Sequence, residues 1–242
     1  MKKYLFILAV LGFLGCESYD LKIVESYSMK RGGFEPSGVT FFEGKFYIVG
    51  DEGKIAVFKN GKIKYKKIKR GLDLEGITND GKNLYLVDEK KHRIIKIGKD
   101  FKIDRKFEVD RKFEGRKFLK KGVDGFEGIT FLKEDGDGKH FLLAVQEPKK
   151  GKLVFVTLKN DKVKVDRVKK MKIKDISGLF YKDGKLYLLS DKENRIYLYN
   201  LKDFKLLKKY KIPGRDQEGI AVLKDEFYIA DDSGKFFRMR LK

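Results

Sequence analysis

The sequence contains no tryptophan, one cysteine, three prolines and two histidines among 242 residues. One cysteine excludes an intramolecular disulfide, so the fold has to be held by packing. The two histidines, His92 and His140, fall at unrelated places and exclude a His/Cys zinc site. Neither lies near Ser37 or Ser177 in the chain, and GxSxG, HExxH, P-loop and CxxC patterns are all missing, so nothing points to a serine triad. After the first sixteen residues no apolar run approaches the roughly 20 residues of a membrane-spanning helix, and no segment keeps a 3.6-residue period.

Charge of one sign is abundant. Lys and Arg number 57 against 36 Asp and Glu, a formal net charge of +21. The lysines are spread over every segment instead of gathering in one motif, the pattern of a solvated surface and not of a nucleic-acid interface. Envelope polyanions remain as nonspecific contacts.

The first sixteen residues, MKKYLFILAVLGFLGC, place two lysines before an apolar run and end on the only cysteine. This is the layout of a secretory signal, and FLGC resembles the lipobox of bacterial lipoproteins, in which the cysteine is lipidated. The expectation is a signal peptide over 1–16, a membrane anchor at Cys16, and a location in the cell envelope. Glu17 after the cysteine favours the outer membrane where the cell has one.

Residues 17–242 read as one repeat array. Repeats begin near 35, 73, 125, 175 and 216, and DISGLFYKDGKLYLLSD, from Asp175, shows the unit: a small-residue turn, a short apolar strand, a polar glycine turn, and a second strand followed by an acid. Marking each repeat by the Ser or Glu before its glycine gives 37, 75, 127, 177 and 218, spacings of 38, 52, 50 and 41. Periods of this size, filled with Tyr, Phe, Val and Ile and broken by glycine turns, predict propeller blades of four antiparallel strands and exclude a helical solenoid. The fifth repeat stops after three strands, and 21–27 (LKIVESY) is the strand that completes it, joining both termini in one blade. The predicted fold is all-β, a monomeric five-bladed β-propeller closed by an N-terminal strand, with 111–123 as a loop insertion.

Two columns carry chemistry. The first is Ser37, Glu75, Glu127, Ser177 and Glu218, each followed by glycine; the second, at the end of the second strand, is Asp51, Glu89, Glu147, Asp191 and Asp232. Inner strands line the axis of a propeller, so three glutamates of the first column meet in a narrow space. Like charges that close require a cation or protons. The ligands are hard oxygens, which selects Ca²⁺ over Mg²⁺ because Ca²⁺ accepts irregular sets of 6–8 oxygens. The competing reading makes the Glu-Gly and Ser-Gly pairs turn devices at the channel mouth, and the second-column acids turn caps. The loop EDGDGK, Glu134 to Lys139, reads as a polar hairpin turn and not as a calcium loop.

The stretches DLEGIT, GFEGITF, DISGLFYKDGKLYLLSDKENRIYLYNL and QEGIAVLKDEFYIADDSGKFFRMRL resemble the bacterial SdiA-regulated (YjiK-like) family. That resemblance implies a five-bladed propeller, export or membrane attachment, and a calcium site with Glu75, Glu127 and Glu218 as ligands and Ser37 and Ser177 as their counterparts. The chain is also similar in general terms to NHL-type propellers and to hydrolases with a central calcium, such as paraoxonase-like lactonases and phytases. Those have Asn or His at the axis, which this chain does not show. Two functions are expected: a noncatalytic envelope protein binding a ligand or a protein partner, or a calcium-dependent hydrolase of an ester, lactone or phosphoester.

Overall fold

The computed structural model describes residues 19–120, 125–145 and 150–242. Strand β1 (Leu21–Ser28) is followed by blade I, with β2 (Pro36–Phe42), β3 (Lys45–Gly50), β4 (Lys54–Lys59) and β5 (Lys62–Lys67). Blade II holds β6 (Leu74–Asn79), β7 (Leu84–Asp88), β8 (Arg93–Ile97) and β9 (Ile103–Glu108). A small hairpin, β10 (Lys112–Phe113) with β11 (Arg116–Lys117), leads to blade III: β12 (Phe126–Asp135), β13 (Gly138–Val145), β14 (Lys152–Lys159) and β15 (Lys162–Lys170). Blade IV holds β16 (Ile176–Lys182), β17 (Lys185–Ser190), β18 (Arg195–Asn200) and β19 (Leu206–Lys211), and blade V holds β20 (Gln217–Leu223), β21 (Glu226–Asp231) and β22 (Lys235–Leu241).

Each blade is a four-stranded antiparallel sheet, and β1 is the outer strand of blade V, paired from Leu21 opposite Leu241 to Ser28 opposite Lys235. The fold is therefore the five-bladed propeller with N-terminal closure that the repeats predict. The insertion after blade II is more ordered than a loop: besides the β10–β11 hairpin, it buries Phe118 and Leu119 against blades II and III. Those two apolar residues lie within a charged stretch and supply the burial that a solvated loop lacks. Among the described residues no helix is long and apolar enough to cross a membrane.

Blade packing follows from strand alternation. Inner strands are apolar on both faces, as in the fully buried β7 (LYLVD), whereas the outer β5 (KIKYKK) alternates half-buried and exposed. Five apolar clusters fill the five gaps between adjacent blades, for example Leu86 and Ile95 between blades I and II, and Phe141 and Val154 between blades II and III. Hairpin turns use the residues that tolerate positive φ: Asp183 (φ 49°) and Gly184 (φ 77°) form the tight turn of the fourth repeat.

Candidate cation site at the acidic mouth of the ring

In all five blades the inner hairpin slips by one residue at the same place. Pro36 pairs with Gly50 and Gly38 with Val49, leaving Ser37 unpaired; Glu75, Glu127, Ser177 and Glu218 are skipped in the same way. The first column is thus a ring of β-bulges. A bulge bends the strand and re-aims the extra side chain. Here it sets the five residues around the axis at one end of the propeller.

The glycine after each bulge is required by its neighbour. A β-carbon on Gly38 would lie 2.7 Å from the Glu75 carbonyl oxygen, and one on Gly219 2.7 Å from that of Ser37. The same carbonyl contact recurs from Gly76 to Glu127 at 3.0 Å and from Gly178 to Glu218 at 2.9 Å, whereas Gly128 meets Leu179 of blade IV less tightly, at 3.1 Å from its side chain and 3.2 Å from its nitrogen. Inner strands this close leave an axial cavity of only about 10 Å³ beside Glu75, Glu127, Ser177 and Glu218, room for about one water. No organic ligand passes along such a channel.

The two serines are tied off locally. Ser37 Oγ donates to Asp51 Oδ1 at 2.7 Å, and Ser177 Oγ donates to the Gln217 carbonyl oxygen at 2.7 Å. The glutamates crowd together instead. Burial is the largest influence on Glu75 and pushes it up to about 9, with Asp51, Glu89, Asp73 and Glu218 adding to the effect. Glu218 is likewise pushed up to about 9, by burial and then by Asp191, Asp232, Asp175 and Asp51. Glu127 is raised well above the usual range by burial, with Glu75, Glu89 and Glu218 contributing.

Second-column residues sit one position past the strands that precede them, as Asp51 after β3, Glu89 after β7, Asp191 after β17 and Asp232 after β21. Their placement at the mouth shows in their titration: burial and then Asp51 push Asp232 up to about 6, and burial raises Glu89 and Asp191. Glu147 and Cys16 lie outside the described residues.

A third column was not singled out by sequence reading. Glu35, Asp73, Asp175 and Asp216 stand two residues before the bulge in four blades, and Asp175 is 4% exposed. Their signal was their recurrence as the first residue of the repeat. Asp175 Oδ1 is buried with no hydrogen-bond partner, while Lys192 approaches Oδ2 at 3.4 Å.

Among the described residues, one group offers three carboxylates to a single ion: Asp51, Asp73 and Glu75, with one oxygen of each within 4.8 Å of the others. Oxygens on a Ca²⁺ lie 2.3–2.6 Å from it, hence within about 5 Å of one another, the separation that this set shows. It joins all three columns and spans blades I and II. Of the three axial glutamates expected as ligands, it includes Glu75; Glu127, on the adjoining blade III, and Glu218, on blade V, are not part of it. Beside it a cleft of about 800 Å³ is lined by Glu35, Asp51, Glu52 and Asp73 together with Lys54, Lys67, Arg70 and Lys90. Lys90 Nζ contacts Asp73 Oδ2 at 2.8 Å.

Neither histidine adds to this set. His92 is buried with its ring edge-on to Phe126, centroids 6.1 Å apart, and His140 lies towards the far end of blade III, opposite Thr157. The EDGDGK segment is a hairpin turn, closed by an Asp137 N–H donating to Asp135 Oδ1 at 3.0 Å.

Comparison with known proteins fits this architecture. The glutaminyl cyclase of Myxococcus xanthus superposes with a TM-score of 0.69 at 13% identity, over 92% of this chain and 96% of that one. A chain of a nidogen/laminin complex gives 0.56 at 14% identity, over 82% and 73%. At such identities the likeness concerns the fold alone. No curated protein sequence matches the chain. One family model does, that of the phytase-like proteins, described by the esterase-like activity of phytase, and it covers residues 25–167. That stretch is more than half of the chain, includes Asp51, Asp73, Glu75 and Glu127, and shows that the chain belongs to the phytase-like family.

Proposed function

We propose that the protein is an exported, lipid-anchored propeller that binds Ca²⁺ at Asp51, Asp73 and Glu75 and uses this acidic face to hold a ligand or protein partner of the cell envelope. The convergence of three carboxylate oxygens within 4.8 Å carries the reading. So many acids in a buried ring are stable only when protonated or when a cation stands among them. Bound there, the ion supplies positive charge for an oxyanion of the ligand. The chain's own residues do the rest: Asp51, Asp73 and Glu75 hold the ion, and the bulge ring fixes Glu75. Export and anchoring at Cys16 rest on the N-terminal sequence and on the resemblance to the SdiA-regulated family, which also favours Ca²⁺. Mg²⁺ is the weaker fit because it demands near-octahedral geometry.

The test is calorimetric titration of residues 17–242 with Ca²⁺, beside an Asp51→Asn, Asp73→Asn double variant. Binding of about one ion by the wild type, with a higher melting temperature, and neither effect in the variant is the expected result. Absence of calcium binding by the wild type refutes the reading.

A second reading is a calcium-dependent hydrolase of a phosphoester, ester or lactone. What favours it is the cleft beside the triad, which Lys54, Lys67, Arg70 and Lys90 line together with the carboxylates, and the family's esterase description. Calcium-dependent release of nitrophenol from p-nitrophenyl phosphate or acetate, lost in the same double variant, separates it from pure binding.

A further inference from the structure

Blade III is longer than its neighbour. Its strands hold 10, 8, 8 and 9 residues, whereas those of blade IV hold 7, 6, 6 and 6. The distal part of the sheet therefore projects beyond blade IV. Glu127 stands near the start of β12 and Asp135 ends it, eight residues later, about 26 Å away at the usual strand rise. What lies there is separate from the acidic mouth.

The overhang bears a cleft of about 660 Å³, the size of a small-molecule site. Leu132 and Phe155 line it, and both also pack on the apolar cluster shared with blade IV. Its polar wall is a hydrogen-bonded chain across four strands. His140 Nε2 is 2.8 Å from Asp135 Oδ1, His140 Nδ1 is 3.0 Å from Thr157 Oγ1, and Thr157 Oγ1 donates to Asp166 Oδ2 at 2.5 Å. The threonine gives its proton to Asp166, so its oxygen is left to accept from the Nδ1–H of His140. The charged groups around this ring are Lys133 and Asp135 from β12, Asp137 in the turn, Lys159 from β14, and Lys162, Lys164, Asp166 and Arg167 from β15.

Two acids of the polar wall, Asp135 and Asp166, are already engaged. Asp135 takes Lys133 at 2.6 Å as well as His140, and these two partners hold its carboxyl well below the usual range. Asp166 takes Thr157, with Lys164 at 3.4 Å. Arg167 is different: its guanidinium lies 3.9 Å from the ring centroid of Phe155, and among the described residues neither it nor Lys162 has a carboxylate partner. Phe204 approaches the same guanidinium, with its centroid 5.4 Å away, and a guanidinium packed against two aromatic rings is held in place to offer its planar fork of N–H groups to an oxyanion.

We propose that this cleft is a second binding site, for a sugar-sized molecule bearing a carboxylate or phosphate, with the oxyanion against Arg167 and Lys164 and the body over Leu132 and Phe155. The site is independent of calcium at the mouth.

The chain's two histidines make the test direct, because His92, buried against Phe126, serves as an internal reference for His140. Imidazole ring signals of the protein, in EDTA, are followed by NMR during titration with glucuronate and with glucose 6-phosphate, and with glucose and sodium chloride at matched ionic strength as controls. The expected result is a saturable shift of His140 with one or both sugar anions, no shift with either control, and an unmoved His92. Which anion acts identifies the recognised group. Arg167→Lys, which keeps the charge but loses the fork and the stack, weakens binding about tenfold; Lys164→Gln gives the same comparison should that variant not fold. Equal shifts with chloride, no shift of His140 at all, or wild-type affinity in a folded Arg167→Lys protein overturns the proposal.

Discussion

Gly76 of blade II stands directly against Gly128 of blade III: a β-carbon added to Gly76 would lie 3.0 Å from the Gly128 α-carbon and 2.9 Å from the Ile129 nitrogen. Both neighbours are backbone, which cannot swing aside as a side chain can. Gly76→Ala forces the two inner strands apart, and the displacement is passed around a closed ring. The expected loss is about 1–3 kcal/mol, the range of overpacked interiors. At about 2–4 °C per kcal/mol for a chain of this size, thermal melting reads it directly. Gly184→Ala serves as a control of another kind, since a β-carbon there meets nothing within 4 Å and only the positive φ of 77° opposes it.

Closure of the ring rests on β1. Leu21 is fully buried in the cluster between blades IV and V and sits opposite Leu241 in the register. Truncating it removes apolar contacts at the point where the two ends of the chain meet. Leu21→Ala is expected to cost about 2–5 kcal/mol. Deleting 19–28 is expected to do more, exposing β22 as an unpaired edge and producing aggregation visible by size-exclusion chromatography. A deletion variant that stays monomeric and melts like the wild type contradicts this account.

Blade number, blade order and the closing strand were legible in the sequence because a repeat announces itself by recurrence, whatever its packing. The Ser/Glu-Gly column was legible for the same reason. Its cause was not: that Glu75 is a bulge residue and that Gly76 is needed by Gly128 depends on register and on the neighbouring blade, neither of which the linear pattern contains. Asp73 and Asp175 were in view as first residues of their repeats, yet their role as mouth residues appears only once burial is known. The His140 chain was the least legible. Its members come from four strands, and a register shift between Phe155 and Val156 helps to place Asp166 beside Thr157.

Asp80 ties blade II to blade III. Its side chain is fully buried, with Lys139 Nζ at 2.7 Å, the Tyr85 hydroxyl donating at 3.0 Å and the N–H groups of Lys82 and Asn83 donating at 2.9 and 2.7 Å. Burial opposes its ionisation, but Lys139 and the two N–H groups prevail and hold it down to about 2. A depressed folded value means that this stability is present above the ordinary aspartate range and is lost as pH falls towards 2. Asp80→Ala is expected to lose on the order of 3 kcal/mol at neutral pH. The stability difference between variant and wild type, followed by circular dichroism, should shrink as pH falls towards 2, because the ionised carboxylate contributes less as it is protonated. A variant as stable as the wild type shows that Lys139 finds enough elsewhere, in Glu134 at 2.8 Å.

The acidic mouth carries the opposite sign. Burial and neighbouring carboxylates hold the protons of Glu75 and Glu218 up to about 9, whereas an unfolded glutamate releases its proton near 4.5. Between those values the metal-free folded state binds more protons than the unfolded state, so stability falls as pH rises through the window. A cation at Asp51, Asp73 and Glu75 removes the need for the proton on Glu75, and its binding must release it. Three outcomes follow from that linkage. The metal-free protein melts lower at pH 8 than at pH 6, and calcium raises the melting temperature more at pH 8. Calcium binding heats also differ between buffers of different ionisation enthalpy by the proton released. Glu75→Gln, neutral at every pH in this range, lessens the first dependence, leaving the share of Glu218 and Glu127, and weakens the ion. If the melting temperature responds to pH identically with and without calcium, the mouth holds its protons by packing alone and is not a cation site.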